Sequence, residues 1–508
     1  MDNWLTTICS GYPLKSRMRL NFLILIVYFL LSIGIGSYFF KEQKSTRDYF
    51  LGSKNVPWYA VAVSVSATVI SSITYIGAPA YVYSKNLSLW LTTVPVLLAT
   101  PIVMFLILPF FFNLNVYTAY EYLEKRFDLK TRTFASILFL FLRSFNTAVI
   151  IYATAIALAV VMNFDLTLTI LAMGIISAFY TMLGGMKAVI WTDFLQFIVL
   201  FCGLVVSAVL LLYRVEGGAR TIYTVANEAG RLRLFDFSLD LTTSVTVWGA
   251  IIGCFFYNLA MYGTDQVVLQ RYLTTKSIKE SRRALLLNAS YILPIGFLNY
   301  LIGAGIFAFY FLYPDSKTAS LPKDGIFPYF IVTQMPAGTG GLVVAGIFAA
   351  AMSTISSAIN SLSTASIVDF YQRFNKTHYS QEHYLKMARW FTFGWGIIIT
   401  GLAFTIQALG QVAEAVMKTN GFFGGVLLGI FLLGMLTRRA TGYGAFWGAI
   451  IAMIVISIIG FGTSISFTWY SMIGALSAFL LGLFFSLRTP LPPKETLQGL
   501  VVGRMLGK

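Results

Sequence analysis

Long apolar stretches, separated by short polar segments, recur along the whole 508-residue chain. A stretch of about 20 apolar residues is long enough to cross the hydrocarbon core of a bilayer as an α-helix. The pattern predicts an all-α polytopic membrane protein with thirteen spans. The predicted spans are residues 20–40, 57–82, 87–112, 133–162, 165–183, 189–213, 243–262, 285–313, 341–370, 388–408, 415–437, 442–461 and 466–486. A further apolar segment, 326–335, predicts a short lid helix at the membrane interface.

The composition agrees with a membrane protein, and the charges indicate an orientation. Hydrophobic residues make up 57% of the chain and charged residues 11%, whereas soluble domains have about 25% charged residues. The net charge of +16 would suggest nucleic-acid binding in a soluble protein, but here the basic residues lie in short loops. Twenty-four Lys and Arg residues follow odd-numbered spans or lie in the tail, and ten lie on the other side. The positive-inside rule then predicts an external N-terminus and a cytoplasmic C-terminus in the inner or plasma membrane, with no nucleic-acid partner.

The polar face of span 9 is the most unusual feature of the pattern. The stretch 346–361 is apolar enough for a bilayer, yet it is rich in Ser, Thr and Asn. At 100° per residue, one helical stripe contains Ala350, Ser353, Thr354 and Ser357. Such residues can serve close helix packing, in which hydroxyls bond to carbonyls of their own helix. They can also supply oxygens to a small hard cation, completed by a broken helix elsewhere. The residues alone leave both interpretations open.

Spans 2 and 7 carry patterns that are typical of interrupted membrane helices. Span 2 has many hydroxyl side chains between residues 64 and 74, followed by Gly77 and Pro79. This predicts an unwound segment whose carbonyls face a cavity, with a kinked packing helix as the alternative. Span 7 combines Gly249 and Gly253 with aromatic and amide side chains. A second broken helix and a glycine-mediated packing face are both compatible with it.

Two charged residues fall within predicted spans. Asp193 lies at the cytoplasmic start of span 6, where a carboxylate at membrane depth indicates a functional site. The alternative is a cap at headgroup level that, with Thr192, bonds to free backbone N–H groups. Arg143 lies in span 4 and could pair with an anionic substrate, pair with Asp193, or extend to the interface.

Three stretches together resemble the sodium/solute symporter family, which has the inverted-repeat leucine-transporter fold. They are residues 184–193, residues 263–272 and the Ala-Ala-Ala-Met-Ser-Thr-Ile-Ser-Ser-Ala-Ile-Asn-Ser run of span 9. Within the family, the chain looks like the bacterial sialic-acid transporter branch. The resemblance implies two five-helix repeats of opposite orientation. The implied organisation is a leading helix and linker (1–56), a first repeat (57–213), an extracellular loop (214–242), a second repeat (243–437), and two trailing helices with a cytoplasmic tail (438–508).

The resemblance also implies ion sites. The main sodium site would use the backbone carbonyls of Ala67, Ile70 and Ala350 and the hydroxyls of Ser353 and Thr354. A second sodium site, present in some members, would use Asp193, Ser356 and Ser357, helped by Ser353. The carboxylate there would neutralise the second ion.

The implied substrate site lies at the midplane of the bundle. Its candidate residues are Thr68, Ser71, Thr74, Thr93, Asn146 and Asn258, with Gln407 or Gln411, and Arg143 one turn from Asn146. Asn146 stands where the sialic-acid branch has an arginine, and Thr93 stands where it has a glutamine. A neutral sugar or polyol and an acid recognised by Arg143 therefore both remain open.

The expected function is sodium-coupled secondary active symport by alternating access, importing a small polar organic solute such as a sialic acid, a sugar or polyol, or a carboxylate. Na⁺ is the expected cofactor, the expected partners are sodium ions, the solute and membrane lipid, and no enzyme activity is expected. The alternative functions are a cation channel and a membrane-embedded solute sensor. The sequence has no filter-like carbonyl repeat for the first, and no soluble output domain, metal cluster or nucleophile–base pair for the second.

Overall fold

The computed structural model describes residues 14–162, 164–336, 338–377, 379–406 and 412–502, and within these ranges every regular element is a helix. The first ten α-helices are α1 (Leu14–Tyr38), α2 (Thr46–Leu51), α3 (Trp58–Val69), α4 (Ser72–Ser84), α5 (Val96–Ile102), α6 (Leu108–Leu114), α7 (Tyr120–Arg126), α8 (Leu129–Met162), α9 (Leu166–Arg214) and α10 (Gly218–Glu228). The next ten are α11 (Cys254–Gly263), α12 (Gln266–Tyr272), α13 (Ile278–Leu312), α14 (Ile326–Gln334), α15 (Thr339–Ala365), α16 (Gln372–Phe374), α17 (Gln381–Ile406), α18 (Val412–Leu436), α19 (Gly442–Gly462) and α20 (Tyr470–Leu487). Three π-helical segments are Val103–Ile107, Gly249–Gly253 and Ser366–Tyr371. The 3₁₀ turns are Phe39–Glu42, Gly52–Lys54, Leu87–Thr93, Ser316–Ser320, Lys323–Gly325, Phe467–Trp469 and Lys494–Leu497.

The helices have the lengths that a polytopic membrane protein requires. Nine of them, within the described ranges, are long and apolar enough to cross a membrane, and the bent pair α3–α4 brings the number to ten. Two shorter apolar helices, Gly249–Gly263 and Gly421–Leu436, lie at predicted spans 7 and 11. The all-helical membrane class is therefore confirmed, while the count of thirteen spans stays a prediction.

Helix α9 consists of two helical segments that meet at a kink at Gly185, and these segments correspond to predicted spans 5 and 6. Gly185 has φ 57° and ψ −149°, a conformation that residues with a Cβ rarely adopt. A Cβ at this position would also lie 2.5 Å from the Tyr49 carbonyl oxygen. The single glycine thus provides the turn between two spans.

Helix α15 lies at the centre of the bundle and is buried along almost its entire length. It stays unbroken despite its many hydroxyls, because several of them bond back to their own helix. The Ser356 hydroxyl donates to the Ser353 carbonyl at 3.1 Å, and the Thr354 hydroxyl donates to the Ala350 carbonyl at 3.3 Å. Its small side chains let neighbouring helices approach closely.

The lid helix predicted at 326–335 is present as α14, but it packs into the bundle. Its side chains Ile326, Phe327, Phe330 and Ile331 are buried. The Phe330 ring makes an edge contact with the Phe309 ring at a centroid distance of 5.5 Å. Its apolar face is therefore covered by the bundle, and its position at the membrane interface stays a prediction.

Candidate functional site

The helix of predicted span 2 is broken at Ile70–Ser71, where α3 ends and α4 begins at an angle of 56°. The last carbonyls of a helix have no partner within it. The carbonyls of Ala67 and Thr68 therefore turn to other elements. The predicted interruption is confirmed, but Gly77 and Pro79 do not form it, because both lie inside α4.

Helix α15 offers hydroxyls to these freed carbonyls. The Ser353 hydroxyl donates to the carbonyl oxygens of Ala67 at 2.8 Å and Ala350 at 3.1 Å. The Thr354 hydroxyl lies 3.2 Å from the Thr68 carbonyl oxygen and 3.3 Å from that of Ala350. The structure thus brings four of the five predicted main-site residues together and adds the Thr68 carbonyl.

This group of oxygens, which we call the oxygen cradle (Ala67, Thr68, Ala350, Ser353, Thr354), has the chemistry that sodium requires. Its donors are uncharged backbone and hydroxyl oxygens, which suit a hard cation. A hydroxyl can rotate to present a lone pair, and the end of α3 adds the negative end of its helix dipole. The fifth predicted ligand, Ile70, lies at the helix break. Ile70 and Thr354 also line a cavity at the centre of the bundle, which we call the central cavity, so the cradle adjoins this cavity.

Asp193 is the centre of a second polar cluster. Its Oδ2 accepts hydrogen bonds from the Ser64 hydroxyl at 2.6 Å, the Arg271 guanidinium at 3.0 Å and the Thr68 hydroxyl at 3.5 Å. The side chains of Asp193 and Arg271 are both 0% exposed. The headgroup-level cap considered for Asp193 is therefore wrong, since the residue lies inside α9 and bonds to buried side chains.

The predicted second sodium site is only partly assembled in this cluster. The Ser357 hydroxyl accepts from Arg271 and donates to the Ser353 carbonyl, whereas the Ser356 hydroxyl donates to the Ser353 carbonyl and does not bond to Arg271 in the described chain. The Asp193 Oδ1 atom is buried and has no hydrogen-bond partner in the described part of the chain. This orphaned acceptor fits a cation. The sequence predicted that the Asp193 carboxylate alone would neutralise a second ion. Because Arg271 already balances this carboxylate, a sodium ion at Asp193 would be attracted more weakly.

The seven predicted substrate residues that belong to the described chain all line the central cavity, which has a volume of about 250 Å³. They are Thr68, Ser71, Thr74, Thr93, Arg143, Asn146 and Asn258. Other polar residues on its wall are Thr92, Tyr257, Tyr262, Asn299, Tyr300, Thr468 and Ser471. The sequence pattern of span 7 pointed to its aromatic residues as a group, but it could not show which of them face the cavity; most of the other residues come from elements for which no site was predicted. Gln407 and Gln411 lie outside the described residues.

Several of these predicted residues have polar groups that already bond to the protein. The Thr93 hydroxyl donates to the Trp90 carbonyl at 2.7 Å, and Thr68 and Asn258 are engaged as follows. The Thr68 hydroxyl lies 3.0 Å from the Ser357 hydroxyl and belongs to the Asp193 cluster. The Asn258 amide nitrogen donates to the carbonyls of Thr92 at 3.1 Å and Cys254 at 2.8 Å. Their part in solute binding is therefore limited to the atoms that remain, such as the Asn258 amide oxygen.

Arg143 forms an ion pair with Asp265, so the considered pairing with Asp193 is wrong. Asp265 also caps α12, because its Oδ1 accepts from the Val267 N–H at 2.8 Å. Asp265 was not among the predicted site residues, although it lies in the 263–272 stretch that carries the family resemblance, where an Asp before a short helix is a typical N-cap. Of the described residues that line the central cavity, Arg143 is the only charged one.

A broken membrane helix, a neutral oxygen cradle at the break and an adjoining solute-sized cavity are the features of an ion-coupled secondary transporter. Comparison with known proteins then gives the family. The model of the sodium:solute symporter family matches residues 49–452. The chain belongs to this family of multi-pass membrane transporters and works by sodium-coupled symport.

The chain is similar to characterised bacterial and animal symporters. It is 34% identical to the sodium/sialic acid symporter SiaT of Proteus mirabilis over 91% of this chain and 94% of that protein. It is 31% identical to mouse sodium-coupled monocarboxylate transporter 2, covering 84% and 70% of the two chains. A solved Na⁺-coupled sialic acid symporter in a substrate-bound outward-open state matches with TM-score 0.88 and 34% identity, covering 94% of this chain and 99% of that chain. Mhp1, a nucleobase-cation-symport-1 transporter, matches with TM-score 0.53 and 14% identity, covering 88% and 97%. The all-helical leucine-transporter-like fold is thereby confirmed.

Proposed function

We propose that the protein imports an organic acid together with sodium, and that Arg143 recognises the carboxylate. The observation that carries this proposal is the charge of the central cavity, where Arg143 is the only charged residue on the described lining. A guanidinium can hold a carboxylate through two parallel hydrogen bonds. The named solutes of similar symporters, sialic acid and monocarboxylate, are acids of this kind.

The broken helix adds a second attraction for an anion. Helix α4 begins at Ser72, and its N-cap Ser71 makes no side-chain capping bond. The first N–H groups of α4 and its dipole therefore present positive charge. Ser71 and Thr74 line the central cavity, so this end of α4 opens onto it.

A neutral sugar or polyol is the second candidate solute. The cavity wall is otherwise made of hydroxyl, amide and apolar groups, and such groups suit a sugar. In this case Arg143 would stay paired with Asp265 throughout transport.

For the ions, we propose a main sodium site at Ala67, Ile70, Ala350, Ser353 and Thr354. An ion there joins α3 to α15 and stabilises the state in which they are apposed, which we take to be the outward-open state. A second ion is proposed at Asp193, Ser356 and Ser357, with Ser353 nearby. The loops after odd-numbered spans are proposed to face the cytoplasm, and 57–213 and 243–437 to be the two inverted repeats.

Uptake into proteoliposomes tests the proposal directly. Uptake of N-acetylneuraminate or lactate should collapse when sodium is replaced by choline, and Arg143→Gln should abolish it. The second candidate would be favoured if a neutral sugar such as N-acetylmannosamine were taken up with sodium and Arg143→Gln transported it normally. A thermal-shift screen of sugars, sialic acids, carboxylates and vitamins, with and without sodium, would identify the solute.

A further inference from the structure

We propose that Asp265 is an internal counter-ion, which occupies Arg143 while the central cavity holds no anion and so closes one end of that cavity. The proposal rests on the proposed function, because it requires an anionic solute. It assigns to Asp265 a part in solute selection in addition to capping α12.

The ion pair lies between two cavities. A smaller cavity of about 60 Å³ shares Arg143, Tyr257 and Met261 with the central cavity. It continues to Tyr120 and Asp265, which belong to the segments after predicted spans 3 and 7. These segments lie at the end of the bundle that we propose to be cytoplasmic. A solute leaving the central cavity in this direction therefore has to pass the Arg143–Asp265 pair.

Arg143 can donate hydrogen bonds to a second acceptor while it is paired with Asp265. Its Nε is buried and has no hydrogen-bond partner in the described ranges. The side chains of Arg143 and Asp265 are 12% and 15% exposed, unlike the fully sealed pair of Arg271 and Asp193. A guanidinium has five N–H donors in a planar fork. A solute carboxylate that approaches from the central cavity can thus bind this fork and displace Asp265.

The Asp265 carboxylate keeps a hydrogen bond when it separates from Arg143. Its Oδ1 already accepts the Val267 N–H at 2.8 Å, and this bond does not involve Arg143. The carboxylate would remain as the N-terminal cap of α12, where the helix dipole favours a negative charge. The two states therefore differ mainly in which carboxylate Arg143 holds.

The position of α12 connects this exchange to the ion sites. Asp265 stands at its start, and Arg271 near its end bonds to Asp193 and Ser357. One short helix thus has an ion pair at each end, one at the solute cavity and one at the Asp193 cluster. A neutral solute can occupy the cavity, but it leaves the first pair closed.

The test is Asp265→Asn in the full-length protein, because Asn still caps a helix while the charge is lost. Without the internal competitor, the KM for N-acetylneuraminate or lactate should fall about fivefold, equivalent to about 1 kcal/mol. Sodium-independent leak of the acid should rise by a similar factor. Asp265→Glu keeps the charge and should restore the parent behaviour. The matched control is Asp165→Asn, since Asp165 caps α9 through the Leu168 N–H at 2.7 Å and has no ion pair in the described chain.

A labelling experiment needs no solute and keeps the test decisive. The variant Met261→Cys, in a background without other cysteines, should react faster with a maleimide applied from the cytoplasmic side when Asp265→Asn is also present. Unchanged labelling, KM and leak in a folded Asp265→Asn protein would overturn the proposal. Normal acid uptake by Arg143→Gln would instead overturn the proposed function, and the two failures are therefore distinguishable.

Discussion

Two neighbouring polar regions meet α15 and differ in their electrostatics. In the oxygen cradle, Ser353 and Thr354 face neutral carbonyls. One turn further along, Ser357 faces Asp193 and Arg271, which are opposite charges sealed from solvent. A neutral cradle can gain and lose an ion with little rearrangement, whereas a buried ion pair is strongly destabilising to break. The difference favours the cradle as the main site of reversible sodium binding, while the pair fixes the position of α12 and weakens the attraction of Asp193 for a second ion.

The largest expected effect comes from breaking the sealed pair. Arg271→Met should destabilise the protein by about 3–5 kcal/mol, because it leaves Asp193 as an uncompensated buried charge. The matched control is the double variant Asp193→Leu/Arg271→Met, which removes both charges and should recover much of the loss. Thermal unfolding of the purified protein in detergent measures both. Equal melting temperatures of Arg271→Met and the parent would show that the pair does not fix the structure.

The next effect, in the cradle, should appear in sodium affinity and not in stability. Thr354→Ala removes one oxygen ligand and should raise the sodium concentration for half-maximal uptake about tenfold, a change of about 1.4 kcal/mol. Ser363→Ala is the control on the same helix, because the Ser363 hydroxyl donates to the Ala388 carbonyl at 3.0 Å, away from the cradle. If Thr354→Ala and Ser353→Ala both kept the parent sodium dependence, the main sodium site would lie elsewhere.

The contrast between the regions also explains what the sequence could predict. The cradle followed from local patterns, namely a hydroxyl stripe on one helix and a hydroxyl-rich interruption in another, together with the family resemblance. The partner of Asp193 did not, because Arg271 lies 78 positions further along the chain and no periodicity connects the two. For the same reason, the sequence did not identify Asp265 as the partner of Arg143, and the internal partner that it offered, Asp193, was wrong.

The fold shows a similar division. Apolar length alone predicted the all-helical membrane class, since each membrane helix must span the same hydrocarbon thickness. It could not show that predicted spans 5 and 6 join without a loop, because that depends on one backbone conformation at Gly185. Nor could it place the break of span 2 at Ile70–Ser71, where neither residue is a helix breaker by type.

A smaller effect, on the charge moved per transport cycle, is expected from neutralising Asp193 while its hydrogen-bonding partners stay in place. Asp193→Asn keeps an acceptor for Ser64 and Arg271, but it leaves the buried Arg271 charge without its counter-ion. The thermal unfolding assay therefore establishes that the purified variant is folded before its transport is measured. If a second ion binds at Asp193, the charge moved per solute should fall by one, as measured by reversal potentials in proteoliposomes. If the charge moved per solute were the same in Asp193→Asn and the parent, no second ion would bind at Asp193.

The smallest effect tests whether burial, and not ion-pair geometry, separates the two regions. Arg233 and Asp236 form a pair at 3.3 Å in which Arg233 is 62% exposed. Exposed pairs contribute about 0.2–1 kcal/mol and are screened by salt, so Arg233→Gln should change the melting temperature by about 1 °C or less. The same thermal unfolding assay, at low and high salt, compares it with Arg271→Met. A loss as large as that of Arg271→Met would show that the sealed position of Asp193 and Arg271 does not cause their importance, and the contrast drawn between the cradle and the pair would then fail.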